Sequence, residues 1–149
     1  MKLKVFRIRE NAKLPMRAHP TDAGMDLFFC PDGDQPKNVY PGKTELFATG
    51  LKISVPPNHM LEIKNKSGIA FKKQLVVGAC VVDNGYDGEV FVNLHNVGTK
   101  VQVLESGQKI AQAVLIPIQT PELEEISEDN IYGGDTARGT GGFGSTGNF

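Results

Sequence analysis

Residues 75–94 read LVVGACVVDNGYDGEVFVNL. Two apolar runs, Leu75 to Val82 and Val90 to Leu94, enclose Asp83-Asn84-Gly85-Tyr86-Asp87-Gly88. The enclosed residues are those a chain uses to reverse direction: glycine reaches positive φ, and Asn and Asp bond to their own nearby backbone. The stretch predicts two strands joined by a hairpin tip. A turn accounts for the Asn, Gly and Asp residues but does not call for Tyr86. Asp83, directly after an apolar run, is expected to be a partly desolvated carboxylate, which suits a general base. An ordinary hairpin turn with an ordinary tyrosine is the alternative.

The same texture extends in both directions. Leu3–Ile8, Asp26–Phe29, Thr44–Ala48, Leu51–Val55, Met60–Ile63, Val101–Leu104 and Ile110–Ile118 read as further short strands between turn signals such as Thr49-Gly50 and Val55-Pro56-Pro57-Asn58. Strands recurring about every ten residues point to an all-β barrel, sandwich or jelly roll. One helix is predicted, Ser67–Gln74, with Ser67 placed to cap it. From Pro121 onward the chain becomes acidic, and from Gly133 glycine-rich, a composition that buries little apolar surface. We therefore expect a β domain over residues 1–132 and a mobile C-terminal arm over 133–149.

Bulk properties narrow the function classes. The 149 residues suit one domain, and 40% apolar with 22% charged residues is a soluble globular composition. A net charge of −1 gives no global basic field, so direct nucleic-acid binding is not expected. The sequence has no signal-type apolar region near Met1 and no run long enough to span a bilayer, so no membrane association is expected. Two isolated cysteines, Cys30 and Cys80, fit an intracellular, reducing setting. His19, His59 and His95 lie far from each other and from the cysteines, so no zinc-type spacing exists. Asn65-Lys66-Ser67 spells a glycosylation sequon, read as chance in that setting.

Four more polar, glycine-containing islands interrupt the strands. Asp22-Ala-Gly-Met-Asp26-Leu27 places two acids four apart, either around a turn or near a metal. Lys66-Ser67-Gly68-Ile-Ala70 puts a lysine and a hydroxyl at a helix start, where free N–H groups suit phosphate. In Gly107-Gln-Lys-Ile-Ala-Gln112, Gln112 falls inside an apolar run, so its amide must either satisfy backbone groups or face a ligand. The last island is Arg138-Gly-Thr-Gly-Gly-Phe143-Gly144-Ser145-Thr146-Gly147. Its glycines let backbone N–H groups approach a ligand closely. Arg138 offers a donor fork for phosphate, Phe143 a ring to stack on a base, and Ser145 and Thr146 hydroxyl donors. A nucleotide would use all of them.

In order and spacing these islands resemble the five motifs of the trimeric dUTP diphosphatases (dUTPases). Ala23-Gly-Met-Asp26-Leu27 is similar to the first, Ser67-Gly-Ile-Ala70 to most of the second, and Val82-Asp83-x-x-Tyr86-x-Gly88 to the third. Gly107-x-x-Ile110-Ala-Gln112 and the 138–147 island are similar to the fourth and fifth. Pro41-Gly42 and Thr49-Gly50-Leu51 also match between motifs. The second motif departs in one respect: Asn65-Lys66 stands where the family usually has Pro-Arg. Lysine keeps the charge but loses the bidentate fork.

The resemblance implies a jelly-roll-like β-clip barrel with one short helix and a flexible Gly-rich tail, assembled as a homotrimer with shared active sites. It implies hydrolysis of dUTP to dUMP and pyrophosphate, which limits uracil incorporation into DNA and supplies dUMP for thymidylate synthesis. Asp83 would activate the water attacking the α-phosphorus and bind the 3′-hydroxyl. Tyr86 would lie under the deoxyribose and exclude ribonucleotides. The backbone entered by Val77 to Val82 would read the uracil edge, with Cys80 near the base. Lys66, Ser67, Gly68 and Gln112 would hold phosphates. Arg138, Gly144, Ser145 and Thr146 would clamp the terminal ones, with Phe143 on uracil. Mg²⁺ would be bound mainly by triphosphate and water, with Asp26 at most in the outer shell. A dCTP deaminase-related enzyme and a dUTP-binding regulatory protein are the alternatives. A purely structural jelly roll leaves Arg138, Phe143 and Gln112 without purpose.

Overall fold

The structure is a computed structural model that describes residues 1–147; Asn148 and Phe149, the end of the expected arm, lie outside the described residues. In chain order the strands are β1 (Lys4–Arg7), β2 (Met25–Phe28), β3 (Lys37–Val39), β4 (Thr44–Ala48), β5 (Leu51–Ser54) and β6 (His59–Lys64). The helix α1 (Ser67–Lys73) follows. Then come β7 (Leu75–Val77), β8 (Val81–Val82), β9 (Phe91–Asn96), β10 (Gln102–Leu104) and β11 (Lys109–Pro117). The all-β reading stands.

The strands form a four-stranded sheet β2-β11-β6-β8, a three-stranded sheet β4-β9-β7, and the pairs β1-β5 and β10-β3. Pairing between the strands is antiparallel throughout. The arrangement fits a jelly-roll-like fold, but no barrel closes among the described residues, which corrects the barrel expectation. Short strands explain this: β7, β8 and β10 hold two or three residues each, too few to carry a ladder around.

Alternation sets the inner faces. In β9, Val92, Leu94 and Asn96 point inward while Phe91, Asn93 and His95 point outward or sideways. Phe47, Leu51, Leu61, Val92, Leu94, Leu104 and Ile110 are fully buried, each worth about 1.5–3 kcal/mol against exposure. Phe29 meets Phe47 edge to face, with ring centroids 4.9 Å apart. Asn96 is buried because its amide is satisfied: Nδ2 donates to the carbonyls of Val39 and Lys100, both at 2.8 Å, and Oδ1 accepts from Gly98 N–H.

Two local expectations change. The run 75–82 is not one strand. It breaks at Gly78-Ala79-Cys80, so that β7 pairs with β9 and β8 pairs with β6 in the other sheet. The 83–88 turn therefore joins two sheets and does not tip a simple hairpin. Ser67 does not cap α1: it is the first helical residue, Lys66 holds the cap position, and no side-chain cap bond forms. The helix stops at Gln74, which takes the left-handed conformation at φ 53°.

The chain divides after Gln119 into two compact units, so the expected boundary at 132/133 falls inside the second. That second unit, residues 120–147, is a string of turns. Gly139 N–H bonds to Thr136 O, Gly141 N–H to Arg138 O, and Ser145 N–H to Gly142 O. Arg138 Nε donates to Gly141 O at 3.0 Å, while Phe143 has no cover from its surroundings.

Candidate active site

The four-stranded sheet gathers the first, second and fourth islands. Asp26 in β2 faces Gln112 in β11, which faces Lys64 in β6, in one row of the ladder. Lys66 follows two residues on. Asp26 is buried, with 4% of its surface exposed. A buried carboxylate needs compensation, and it has two cations: Lys66 Nζ lies 2.6 Å from Oδ1 and Lys109 Nζ 2.8 Å from Oδ2. Burial pushes the Asp26 pKa up, but the hydrogen bonds and charges of Lys109 and Lys66 outweigh it and hold the carboxyl below the usual range. Two ammonium groups sharing one carboxylate leave a net positive charge beside the α1 start.

Gln112 is half-buried, and its Nε2 donates to Asn65 O at 2.8 Å. Its side chain also fills the space beside Gly24, where a Cβ would fall 2.0 Å from Oε1. Any residue larger than glycine at 24 would push this amide aside. Asn65 is the hinge of the arrangement. While its carbonyl accepts from Gln112, its Oδ1 accepts Val77 N–H at 2.7 Å. Asn65 thus ties the phosphate-like end, with Lys66 and Ser67, to the segment leading into 78–83. A proline at position 65 would offer no such acceptor.

The third island lies at the far edge of the same sheet. A pocket of about 200 Å³ is lined by Cys80, Val82, Asp83, Tyr86, Phe91 and Asn93 among others. Asp83 is exposed in the single chain, which corrects the expectation of a desolvated carboxylate. The reason is the broken strand: Val81 is itself exposed, and the turn projects past it. The turn is nonetheless fixed. Tyr86 N–H bonds to Asp83 O, Tyr86 Oη donates to Glu89 O at 2.9 Å, and Asn84 Nδ2 donates to Val55 O at 2.6 Å. The ring of Tyr86 lies against Gly88, where a Cβ would fall 2.3 Å from the hydroxyl. Glu89 anchors the base of the turn by accepting Gly50 N–H at 2.7 Å and pairing with Arg9.

Asp26, Lys66, Ser67, Gly68, Gln112, Val77, Cys80, Val82, Asp83 and Tyr86 all lie in the first unit, the Asp26–Lys66–Gln112 group about β2, β11 and β6 and the Asp83–Tyr86 turn beyond β8 at the sheet's edge. Arg138, Phe143, Gly144, Ser145 and Thr146 lie in the other unit. Sequence reasoning noted Asn65 without giving it a role and passed over Glu89, Asn93 and Lys109. Lys109 sits within the fourth island, so charge next to Gln112 was its available signal; the other three depend on partners far away in sequence. Among the described residues, no group of three or more His, Cys, Asp or Glu could hold a metal, and no helix is long and apolar enough to cross a membrane.

A family model described as dUTPase matches residues 10–147. The chain is 42% identical over 149 residues to the deoxyuridine 5′-triphosphate nucleotidohydrolase of Gloeothece citriformis, spanning 99% of this chain and 97% of that protein. It is 42% identical over 147 residues to the protein of the same description from Clostridium tetani, spanning 97% and 96%. Among solved structures, a dUTPase variant of Staphylococcus bacteriophage 80alpha with dUpNHpp is similar at a TM-score of 0.85 and 27% identity, covering 98% of both chains. A dUTPase variant from phage phi11 of S. aureus, described with a structural Mg(II) ion, is similar at a TM-score of 0.78 and 27% identity, covering 86% of this chain and 98% of that one.

Proposed function

The chain belongs to the dUTPase family and hydrolyses dUTP to dUMP and pyrophosphate, and we propose that it does so with Asp83 as the base, at a site completed by neighbouring copies in a homotrimer. The observation that carries this assignment of roles is the linkage of the Asp83–Tyr86 pocket, through Asn65, to the cationic cluster of Lys66 and Lys109.

A Mg²⁺ held by the triphosphate and water would add positive charge at the phosphates. Asp26, already paired with Lys66 and Lys109, would at most stand in its outer shell. Lys66, with Ser67 and Gly68 at the start of α1, holds phosphate. Gln112 supports the same end by fixing the Asn65 carbonyl. Asp83 orients a water in line with the α-phosphorus and takes its proton as the water oxygen bonds to phosphorus; the bond from phosphorus to the bridging oxygen breaks and pyrophosphate leaves with its electron pair. Asp83 also holds the 3′-hydroxyl. Tyr86, braced on Gly88 and Glu89, lies under the sugar, where a 2′-hydroxyl would clash. Rate acceleration comes from positioning and charge stabilisation, with the base contributing about 10²–10⁴-fold.

The Gly-rich arm would close as a lid over a neighbouring subunit's site, where Arg138, Gly144, Ser145 and Thr146 would clamp the terminal phosphates and Phe143 would stack on uracil. In the trimer a neighbour covers Asp83 and supplies the desolvation that the single chain lacks. Relatives described as nucleotidohydrolases do not favour the deaminase alternative. The test is pyrophosphate release from dUTP, UTP, dTTP and dCTP, with and without Mg²⁺. Release from dUTP alone, lost on chelation, is expected; ammonia from dCTP would contradict it.

A further inference from the structure

The pocket of about 200 Å³ beside the 83–88 turn holds a polar side chain that the mechanism leaves unused. Asn93 is central in β9 and lies on the face opposite Val92 and Leu94, which are buried. Unlike buried Asn96 at the end of the same strand, it has no side-chain hydrogen bond among the described residues. Its carboxamide lies against Gly78, where a Cβ would fall 2.1 Å from Oδ1. A bare backbone at 78 therefore makes room for it. With Oδ1 on the Gly78 side, the Nδ2 group is left for the pocket.

The surroundings fit this reading. Leu46, Ile63, Val82 and Phe91 give apolar walls suited to a flat ring. The N–H groups of Ala79 and Cys80 make no backbone hydrogen bond among the described residues, whereas the Cys80 carbonyl is occupied by Ile63 N–H at 2.7 Å. Two N–H groups of the lining residues are thus without a backbone partner. A pyrimidine edge with two carbonyls matches them; one with an exocyclic amino group sets donor against donor.

We propose that Asn93 is a specificity-determining residue whose Nδ2 group donates to the O4 carbonyl of the base, the position at which cytosine carries an amino group, so that the pocket prefers uracil to cytosine. The inference rests on the substrate reading above and assigns discrimination to one side chain. Asn93→Ala removes the donor. Asn93→Asp replaces it with an acceptor, which suits a cytosine amino group.

The experiment uses the full chain in its native assembly with Mg²⁺. Calorimetry measures binding of dUpNHpp and its cytosine counterpart, and kcat/KM is measured for dUTP, dCTP and UTP. Asn93→Ala is expected to weaken dUpNHpp binding about 10-fold, the worth of one hydrogen bond, with kcat nearly unchanged. Asn93→Asp should shift preference toward cytosine by about 10-fold or more. The UTP to dUTP ratio should not move, because Tyr86 governs the sugar. Unaltered thermal melting in either variant qualifies it for the comparison. Wild-type base preference in both variants would overturn the proposal. A wild type that binds dUpNHpp without hydrolysing dUTP would overturn the hydrolytic reading instead, and the binding ratios would still decide Asn93. A wild type that binds neither analogue would overturn both.

Discussion

Asp26 shows what a single residue can report. Its carboxyl is buried between Lys66 and Lys109 and held below the usual carboxylate range. A depressed folded-state pKa means the unfolded chain binds its proton first as pH falls. The stabilisation is therefore complete above the unfolded value, about 3.9, and drains away as pH drops through the lower folded value. Asn at this position removes that dependence. We expect Asp26→Asn to cost about 1–3 kcal/mol at neutral pH, a range reduced because both lysines are partly exposed. The gap to the wild type should narrow in acid. Urea titrations at pH 7 and near pH 3 measure both; an equal gap at the two pH values would contradict the ion-pair account.

At the scale of elements, the 83–88 turn is held from its base. Glu89 accepts Gly50 N–H and pairs with Arg9, and its carbonyl accepts the Tyr86 hydroxyl. Thr49 Oγ1 donates to Val90 O at 2.6 Å alongside. Glu89→Ala strips partners from a buried N–H and a half-buried guanidinium, so we expect a loss of about 2–4 kcal/mol, together with weaker selection against UTP as Tyr86 loosens. Denaturant unfolding and the UTP to dUTP ratio check the two effects. Asn65→Ala should act differently. It frees Val77 N–H but leaves the carbonyl that Gln112 uses. A higher KM for dUTP with a small change in stability is expected, read from steady-state kinetics and melting.

Elements also show why parts of the fold were readable. β4 matches its expected bounds, Thr44–Ala48, because turn signals enclose it on both sides. β3 was missed, because Lys37-Asn38-Val39 has one apolar residue and exists by pairing with distant β10. The break at Gly78-Ala79-Cys80 was invisible because small residues continue an apolar run as well as they interrupt one. Asp26, Lys66, Asp83, Tyr86 and Gln112 stood out as polar residues in the wrong places. Asn65 and Asn93 did not, since one takes its role from Val77 and Gln112 and the other from Gly78, contacts that only folding creates.

At the scale of the whole molecule, the first unit carries its own core, whereas the side chains of the second are nearly all exposed. Removing residues 133–149 should leave the first unit folded and in the same assembly state as the full chain, with a nearly unchanged melting temperature, and should remove most dUTP hydrolysis. Light scattering and pyrophosphate release measure this; normal turnover by the truncated chain would reduce the Gly-rich arm to a tail. The central claim is that Asp83 activates the attacking water, and the most direct measurement is single-turnover hydrolysis of dUTP by Asp83→Asn beside the wild type, with dUpNHpp affinity measured for both. We expect affinity to hold within a few fold and the chemical step to slow at least about 10²-fold. An unchanged chemical step would contradict the mechanism.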